Sequence, residues 1–150
     1  MSIETNSVMW FRRDLRLSDN EALVAAARAK SVTPLFVIDP KFFERSGAPR
    51  LVFLLRNLHE LNKSMGGALV VRTGDPIDVV PAVAHEVGAT EVCAAKDFAP
   101  YGQSRDAQVG DALRKVGAEL RSVGSAYAVD PGLVRKADNT PYAVFTPFSK

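Results

Sequence analysis

Short apolar runs alternate with longer amphipathic segments along most of this chain. Four runs are mostly apolar and too short for core helices, as is typical of buried strands: 8–11, 32–38, 68–72 and 91–95. A fifth strand is predicted at 119–123, after the glycine that ends the last helix. Four segments between them show helical spacing or helix-boundary residues: 19–30, 49–65, 80–87 and 103–116. The pattern therefore predicts five strands separated by helices. An irregular segment rich in proline and glycine follows from residue 124.

Strands that alternate with helices along a chain are typical of a parallel sheet with right-handed crossovers. We therefore predict an α/β fold with a five-stranded, doubly wound, Rossmann-like sheet, strand order 3-2-1-4-5 and helices on both faces. In such sheets ligands lie outside the carboxyl ends of the strands, near the point where the strand order reverses. The first, second and fourth strands would then bring their polar ends to one crevice.

The first predicted strand runs directly into a densely charged loop. Three arginines and one aspartate occupy residues 12–16, a density that favours a binding site over a solvated loop. The segment 18–21 has the Ser-x-x-Glu pattern of a capping box, which predicts that the first helix begins there. A buried strand thus ends in a charged loop that leads into a helix.

The composition is that of an ordinary globular domain. Of 150 residues, 47% are apolar and 24% are charged, and the net charge of +2 creates no field that would recruit nucleic acid or anionic membranes. The single cysteine, Cys93, excludes an internal disulfide. Because the chain shows no secretion signal or membrane-spanning run, we expect a cytoplasmic protein without a membrane partner.

Standard catalytic and phosphate-binding motifs are absent from the sequence. It contains no GxGxxG, no P-loop and no GxSxG elbow. His59, His85 and Cys93 are too widely spaced to indicate a zinc site, and both histidines fall on predicted helix faces. We therefore expect neither a catalytic residue nor a metal in this chain.

The residues at the predicted strand ends instead suit a planar molecule with polar edges. Such a molecule needs an aromatic side chain over its ring, carboxylates that accept its hydrogen bonds and a cation that holds an oxygen anion. The candidates for these roles are, in that order, Phe36 or Phe98, Asp39 and Asp97, and Arg50 or Arg13.

Several motifs resemble those of the DNA photolyase/cryptochrome family. Residues 10–20, WFRRDLRLSDN, resemble the opening motif of the family, and residues 141–148, PYAVFTPF, resemble a later one. Shorter matches follow in the order of the family: 39–40, 48–50, 74–76 and 96–102. The resemblance covers nearly the whole chain, but only the N-terminal α/β domain of the family.

This resemblance implies two segments. Residues 1–123 would form an antenna-binding domain, and residues 124–150 would begin the connector to a helical FAD domain that is missing here. In the family, the antenna chromophore passes excitation to that FAD, which donates an electron to a pyrimidine dimer in damaged DNA and splits it. The chain alone would then be non-catalytic and without FAD, and its partners would be the missing helical domain and, through it, damaged DNA.

The resemblance also bears on the antenna. Folate-type members carry Asn-Glu where this chain has Tyr101-Gly102, which disfavours methenyltetrahydrofolate. The pattern from Asp97 to Gly102 is similar to deazaflavin-type members, although these carry glutamate in place of Ala99. The first candidate is therefore 8-hydroxy-5-deazaflavin, with FMN or FAD next. The residues expected to bind the cofactor are Phe11, Arg13, Asp14, Phe36, Asp39, Arg50, Asp97, Phe98 and Tyr101.

Other interpretations stay open at this point. A cryptochrome photoreceptor would share this domain, and some members of the family work without an antenna. A stand-alone nucleotide-binding module would need a glycine-rich phosphate loop, which the glycines after residue 123 match poorly. Direct DNA binding by residues 12–16 is a further hypothesis. Finally, apolar surface near Phe145 and Phe148 predicts self-association in the absence of the helical domain.

Overall fold

The computed structural model describes residues 3–142, with side chains from residue 5 onward. The described residues form five parallel strands and five helices. The strands are β1 (Ile3–Phe11), β2 (Ala29–Ile38), β3 (Val70–Thr73), β4 (Ala89–Lys96) and β5 (Glu119–Ser125). The helices are α1 (Glu21–Ala26), α2 (Pro40–Phe43), α3 (Ala48–Ser64), α4 (Pro76–Glu86) and α5 (Pro100–Lys115).

The strands form one sheet in the order β3-β2-β1-β4-β5. Every neighbouring pair is parallel, which confirms the predicted doubly wound α/β fold and its strand order. The chain moves outward from β1 to β3 and then crosses back to β4 on the other side of β1. The carboxyl ends of β2, β1 and β4 therefore lie side by side at the point where the strand order reverses.

Two apolar cores lie on opposite faces of the sheet, and β1 contributes to both. Val8 and Trp10 pack with α4 and α5, whereas Met9 and Phe11 pack with α1 and α3. Successive side chains of a strand point to opposite faces, so a strand covered on both sides must be apolar throughout. The four side chains are at most 2% exposed, which explains the uninterrupted apolar run and confirms helices on both faces.

The predicted capping box at the start of α1 is wrong. Asn20, rather than Ser18, caps the helix, and its side-chain oxygen accepts a hydrogen bond from the Leu23 N–H at 3.0 Å. The helix is also shorter than predicted and ends at Ala26. It stops there because the chain enters β2 at Ala29, where it already pairs with the start of β1.

Helices α4 and α5 both begin at a proline, earlier than predicted. Helix α4 starts at Pro76, four residues before the predicted start, and contains Pro81 in its interior. The missing N–H of Pro81 costs one helical hydrogen bond, but the residue is buried. Helix α5 starts at Pro100, a position that favours proline, so Tyr101 and Gly102 lie on its first turn rather than in a loop.

Four strands extend beyond the predicted runs, because residues at their ends still pair, whereas β3 begins at Val70, two residues later than predicted. β1 begins at Ile3 instead of residue 8, and β5 continues to Ser125. After β5, the described chain forms a single antiparallel bridge, between Arg135 and Pro141. This bridge is all that the structure shows of the short segment predicted at 132–135.

The structure does not test three of the predictions about the C-terminal part of the chain. The segment predicted at 144–145, and the surface near Phe145 and Phe148, lie outside the described residues. The division into 1–123 and 124–150 stays a prediction. Among the helices described, none has both the length and the apolar character needed to cross a membrane.

Candidate ligand-binding site

A cavity of about 720 Å³ opens at the carboxyl ends of β1 and β2. Helices α2 and α3 contribute one side, and the first turns of α5 contribute the other. Its walls carry aromatic side chains from every one of these elements, including Trp10, Phe36, Phe42, Phe53 and Tyr101. A concave site of this size with mostly apolar walls is typical of sites for small molecules and cofactors.

A hydrogen-bonded charge network lies beside Trp10. Arg12 and Arg105 both bond the same carboxylate oxygen of Asp106, at 2.5 and 2.8 Å, and Arg105 also pairs with Asp97 at 3.2 Å. These four side chains are only 10–14% exposed. Both guanidinium groups lie over the indole ring, at 4.7 and 5.1 Å from its centroid. Because the two cations and two anions compensate each other, the network stabilises the cavity wall more than it attracts a ligand.

Asp97 is held at the start of α5 by hydrogen bonds and by a glycine. Its carboxylate accepts hydrogen bonds from the Ala99 N–H at 3.0 Å and from Arg105 at 3.2 Å. Burial acts to raise the pKa of Asp97, but the Ala99 N–H and the nearby arginines, Arg13 first, outweigh it and lower the pKa. Gly102 provides the necessary space, because a Cβ there would lie 2.2 Å from the Asp97 carboxyl carbon.

Tyr101 and Asp39 connect two sides of the cavity. The Tyr101 hydroxyl donates a hydrogen bond to Asp39 at 2.8 Å, and its ring meets Phe42 edge-on, with the centroids 4.8 Å apart. Burial raises the pKa of Tyr101 and the Asp39 carboxylate raises it further, so the phenol stays protonated at neutral pH. Nearby, Lys41 pairs with Asp75 at 2.6 Å, and this contact lowers the pKa of Asp75.

Arg13 and Arg50 line the cavity, and neither forms an ion pair within residues 3–142. Both side chains are exposed. The other two arginines of the loop are engaged within the protein, since Arg12 belongs to the charge network and Arg16 bonds the Asp19 carbonyl at 2.8 Å. Arg13 and Arg50 can therefore hold an anion. Direct DNA contact by residues 12–16 stays a hypothesis.

Asp14 stabilises the loop beneath the cavity. It is 4% exposed, and its carboxylate accepts hydrogen bonds from the Arg12 N–H at 3.0 Å and from the Asn20 amide at 3.2 Å. Because Asn20 also caps α1, these bonds couple the loop to the start of that helix. The side chain lines the cavity, but its oxygens already have partners within the protein.

Eight of the nine residues predicted to bind a cofactor line this one cavity: Phe11, Arg13, Asp14, Phe36, Asp39, Arg50, Asp97 and Tyr101. The ninth, Phe98, lies outside it and meets Tyr127 edge-on, with the ring centroids 6.1 Å apart. The structure thus brings together the strand ends that the sequence predicts to converge. That these side chains bind a cofactor stays a prediction.

Sequence reasoning misses Arg105 and the wall formed by α2 and α3. The α2 aromatics, Phe42 and Phe43, lie on a single helical turn that shows no periodicity. On α3, the residues that line the cavity follow a spacing of i, i+3, i+4 and i+7, which defines a second helix face beside the buried Leu58 and Leu61. This spacing could have revealed the contribution of α3 from the sequence. The members of this face, all lining the cavity, are Arg50, Phe53, Leu54 and Asn57.

The two histidines and the cysteine of the described chain lie outside this cavity. Among the described residues, no cluster of three potential metal ligands occurs. His59 and His85 lie exposed on α3 and α4, as predicted. Cys93 is buried on β4, and burial raises its pKa to about 12.

The sequence matches one protein family and individual members of it. The family model for DNA photolyase matches residues 7–150. A deoxyribodipyrimidine photo-lyase from Halobacterium salinarum is 35% identical over 94% of this chain, and the match covers 32% of that protein.

Solved structures that resemble this chain are photolyases as well. A class III photolyase from Agrobacterium tumefaciens superimposes with a TM-score of 0.84 and 30% identity, covering 97% of this chain and 31% of the other. An archaeal photolyase from Sulfolobus tokodaii, determined with two FAD molecules and interpreted as implying a novel light-harvesting cofactor, gives a TM-score of 0.74 and 26% identity. That match covers 87% of this chain and 32% of the other. The chain therefore spans about a third of the length of these relatives.

Proposed function

Because this chain belongs to the DNA photolyase family, we propose that it binds the antenna chromophore of a light-driven DNA repair enzyme. One observation carries the proposal: the aromatic cavity at the strand ends presents two exposed arginines, Arg13 and Arg50, that form no ion pair within the described residues, although Arg13 lies close enough to Asp97 to lower its pKa. A planar pigment with an anionic group would stack on the aromatic walls and pair with these arginines.

The features of the cavity narrow the choice of pigment. The first candidate is 8-hydroxy-5-deazaflavin, which is planar and has an ionisable hydroxyl group that can face an arginine. FMN and FAD come next, because their phosphates would also pair with arginine, and because a relative from Sulfolobus tokodaii holds two FAD molecules. Methenyltetrahydrofolate is the weakest candidate, since Asp97 occupies the space beside Gly102 where folate-type members carry a glutamate.

Catalysis would reside elsewhere in the whole protein. The region matched by this chain is about a third of the photolyases compared above. We assign the catalytic FAD, the contact with damaged DNA and the repair reaction to the region outside the match. In this proposal, residues 1–123 form the antenna domain and residues 124–150 form the start of the connector.

The test is a titration of the purified chain with 8-hydroxy-5-deazaflavin and, separately, with FMN. Trp10 is the only tryptophan of the chain and lines the cavity, so quenching of its fluorescence by energy transfer reports binding directly. We expect stoichiometric binding of at least one pigment. No quenching and no absorbance change with either pigment would refute the antenna assignment and leave the fold unaffected.

Two arginine variants of α3 test whether the pigment binds in this cavity. Arg50→Ala should weaken binding about tenfold or more, because charge-assisted hydrogen bonds contribute about 1.5–3 kcal/mol. Arg56→Ala is the matched control, since Arg56 lies on the same helix but outside the cavity. An equal loss of affinity in both variants would contradict binding in this cavity.

A further inference from the structure

The α2 wall, which we define as residues 39–46, forms one side of the cavity with few anchors. Helix α2 within it has only four residues, none of them buried. The wall nevertheless brings Phe42, Phe43 and Ser46 to the cavity. Two side chains elsewhere in the fold hold it in place, namely Tyr101 on α5 and Asp75 at the start of α4.

Tyr101 makes the more directed of these contacts. It bonds one carboxylate oxygen of Asp39 at 2.8 Å, while the other oxygen caps α2 by accepting from the Lys41 N–H at 2.9 Å. The same tyrosine packs its ring against Phe42, so it contacts the α2 wall at two points. The second anchor is the Lys41–Asp75 pair, in which the lysine side chain is 58% exposed, and such exposed pairs contribute little to stability.

We propose that Tyr101 is the positioning residue that keeps the α2 wall closed, and that release of its bond to Asp39 opens the cavity. The role of this motion in admitting a chromophore rests on the proposed function, whereas the motion itself does not. Loss of one such hydrogen bond corresponds to about a three- to tenfold larger opening equilibrium constant. The wall would therefore open locally without unfolding of the sheet.

Hydrogen exchange of the ligand-free chain tests the motion. The amides of Phe42, Phe43 and Glu44 donate hydrogen bonds to the carbonyls of Asp39 and Pro40. Because Tyr101 fixes Asp39, release of that residue should let this single turn fray, and exchange of the three amides reports the fraying. In Tyr101→Phe, which keeps the ring and removes the hydroxyl, exchange there should accelerate about three- to tenfold. Lys41→Met should give a smaller effect. Tyr127→Phe, a change at a tyrosine outside the cavity, should give none.

Unchanged exchange in Tyr101→Phe would overturn the inference. An equal acceleration in β1 would overturn it as well, because the tyrosine would then stabilise the whole fold rather than position one wall.

A kinetic experiment separates this inference from the proposed function. Stopped-flow mixing with 8-hydroxy-5-deazaflavin should show a several-fold faster association with Tyr101→Phe, because opening precedes entry. Loss of a mere ligand contact would instead raise the dissociation rate and leave association unchanged, and that result would overturn the role in access. If the unmodified chain binds no pigment at all, the proposed function fails, while the exchange experiment still decides whether Tyr101 holds the wall.

Discussion

Gly102→Ala and Gly110→Ala should change the stability of this protein in opposite directions, although both add one methyl group to α5. At Gly110, the added Cβ would meet its nearest neighbours at 3.8 and 4.0 Å, which is ordinary van der Waals contact. At Gly102, it would lie 2.2–2.6 Å from the three carboxyl atoms of Asp97, so that side chain must move. Neither glycine has a positive φ, so backbone strain does not enter the comparison.

The expected magnitudes follow from what each methyl group displaces. Alanine is favoured over glycine in a helix by about 1 kcal/mol, so Gly110→Ala should raise the free energy of unfolding by about that amount. Gly102→Ala gains less, because it lies in the first turn, and it forces Asp97 away from the Ala99 N–H and Arg105. Since charge-assisted hydrogen bonds contribute about 1.5–3 kcal/mol each, we expect a net loss of about 1–3 kcal/mol.

Urea denaturation of the two variants measures the gain and the loss in the free energy of unfolding. A double-mutant cycle then tests whether Asp97 causes the loss in Gly102→Ala. In an Asp97→Ala background the clash at Gly102 is absent, so Gly102→Ala should become stabilising, as Gly110→Ala is. Equal stabilisation by both single variants would show that the Asp97 carboxylate moves aside at no cost. The claim that Ala99 and Arg105 hold it in place would then be refuted.

Three further predictions concern single residues. Asn20→Ala should lower the free energy of unfolding by about 2–4 kcal/mol in urea denaturation, because it removes the α1 cap and a donor to buried Asp14; a loss below about 1 kcal/mol would contradict this. Because the pKa of Asp97 is lowered, its stabilisation is complete above its ordinary value of 3.8 and is lost as the pH falls through the folded value. Acid unfolding followed by circular dichroism should therefore be less steep in Asp97→Asn, and an unchanged profile would refute the shift. The buried thiol of Cys93, with its pKa near 12, should resist a thiol reagent at mildly alkaline pH until urea unfolds the protein, and rapid labelling of the native chain would show that it is accessible.

The strand order could be predicted from the sequence because four of the five strands contain an apolar run and the alternation with helices restricts the topology. The ends of the elements could not, since they depend on tertiary contacts. Ser18 and Asn20 are both good caps, and the choice of Asn20 follows from its second bond, to buried Asp14. Likewise Pro81, which suggests a helix boundary in isolation, lies buried in the interior of α4.

The site could be predicted where it depends on strand ends and not where it depends on helix packing. Asp39 and Asp97 follow β2 and β4 directly, so the topology alone brings them to one cavity. Phe98 follows the same strand, but the early start of α5 turns the chain and directs its ring toward Tyr127. Arg105 falls within the predicted helix, but its contact with Asp97 is missed because the preceding turn of α5, residues 100–102, is predicted as a loop.

The central position of β1 has a consequence for synthesis of the chain. Of the five strands, β1 is synthesised first, but one of its two neighbours, β4, ends only at Lys96. At ~5–20 residues per second, the nascent strand waits several seconds with one hydrogen-bonding edge open and its apolar side chains uncovered. An open apolar edge invites pairing with other chains. We therefore expect chaperones to bind the nascent chain rather than the folded protein.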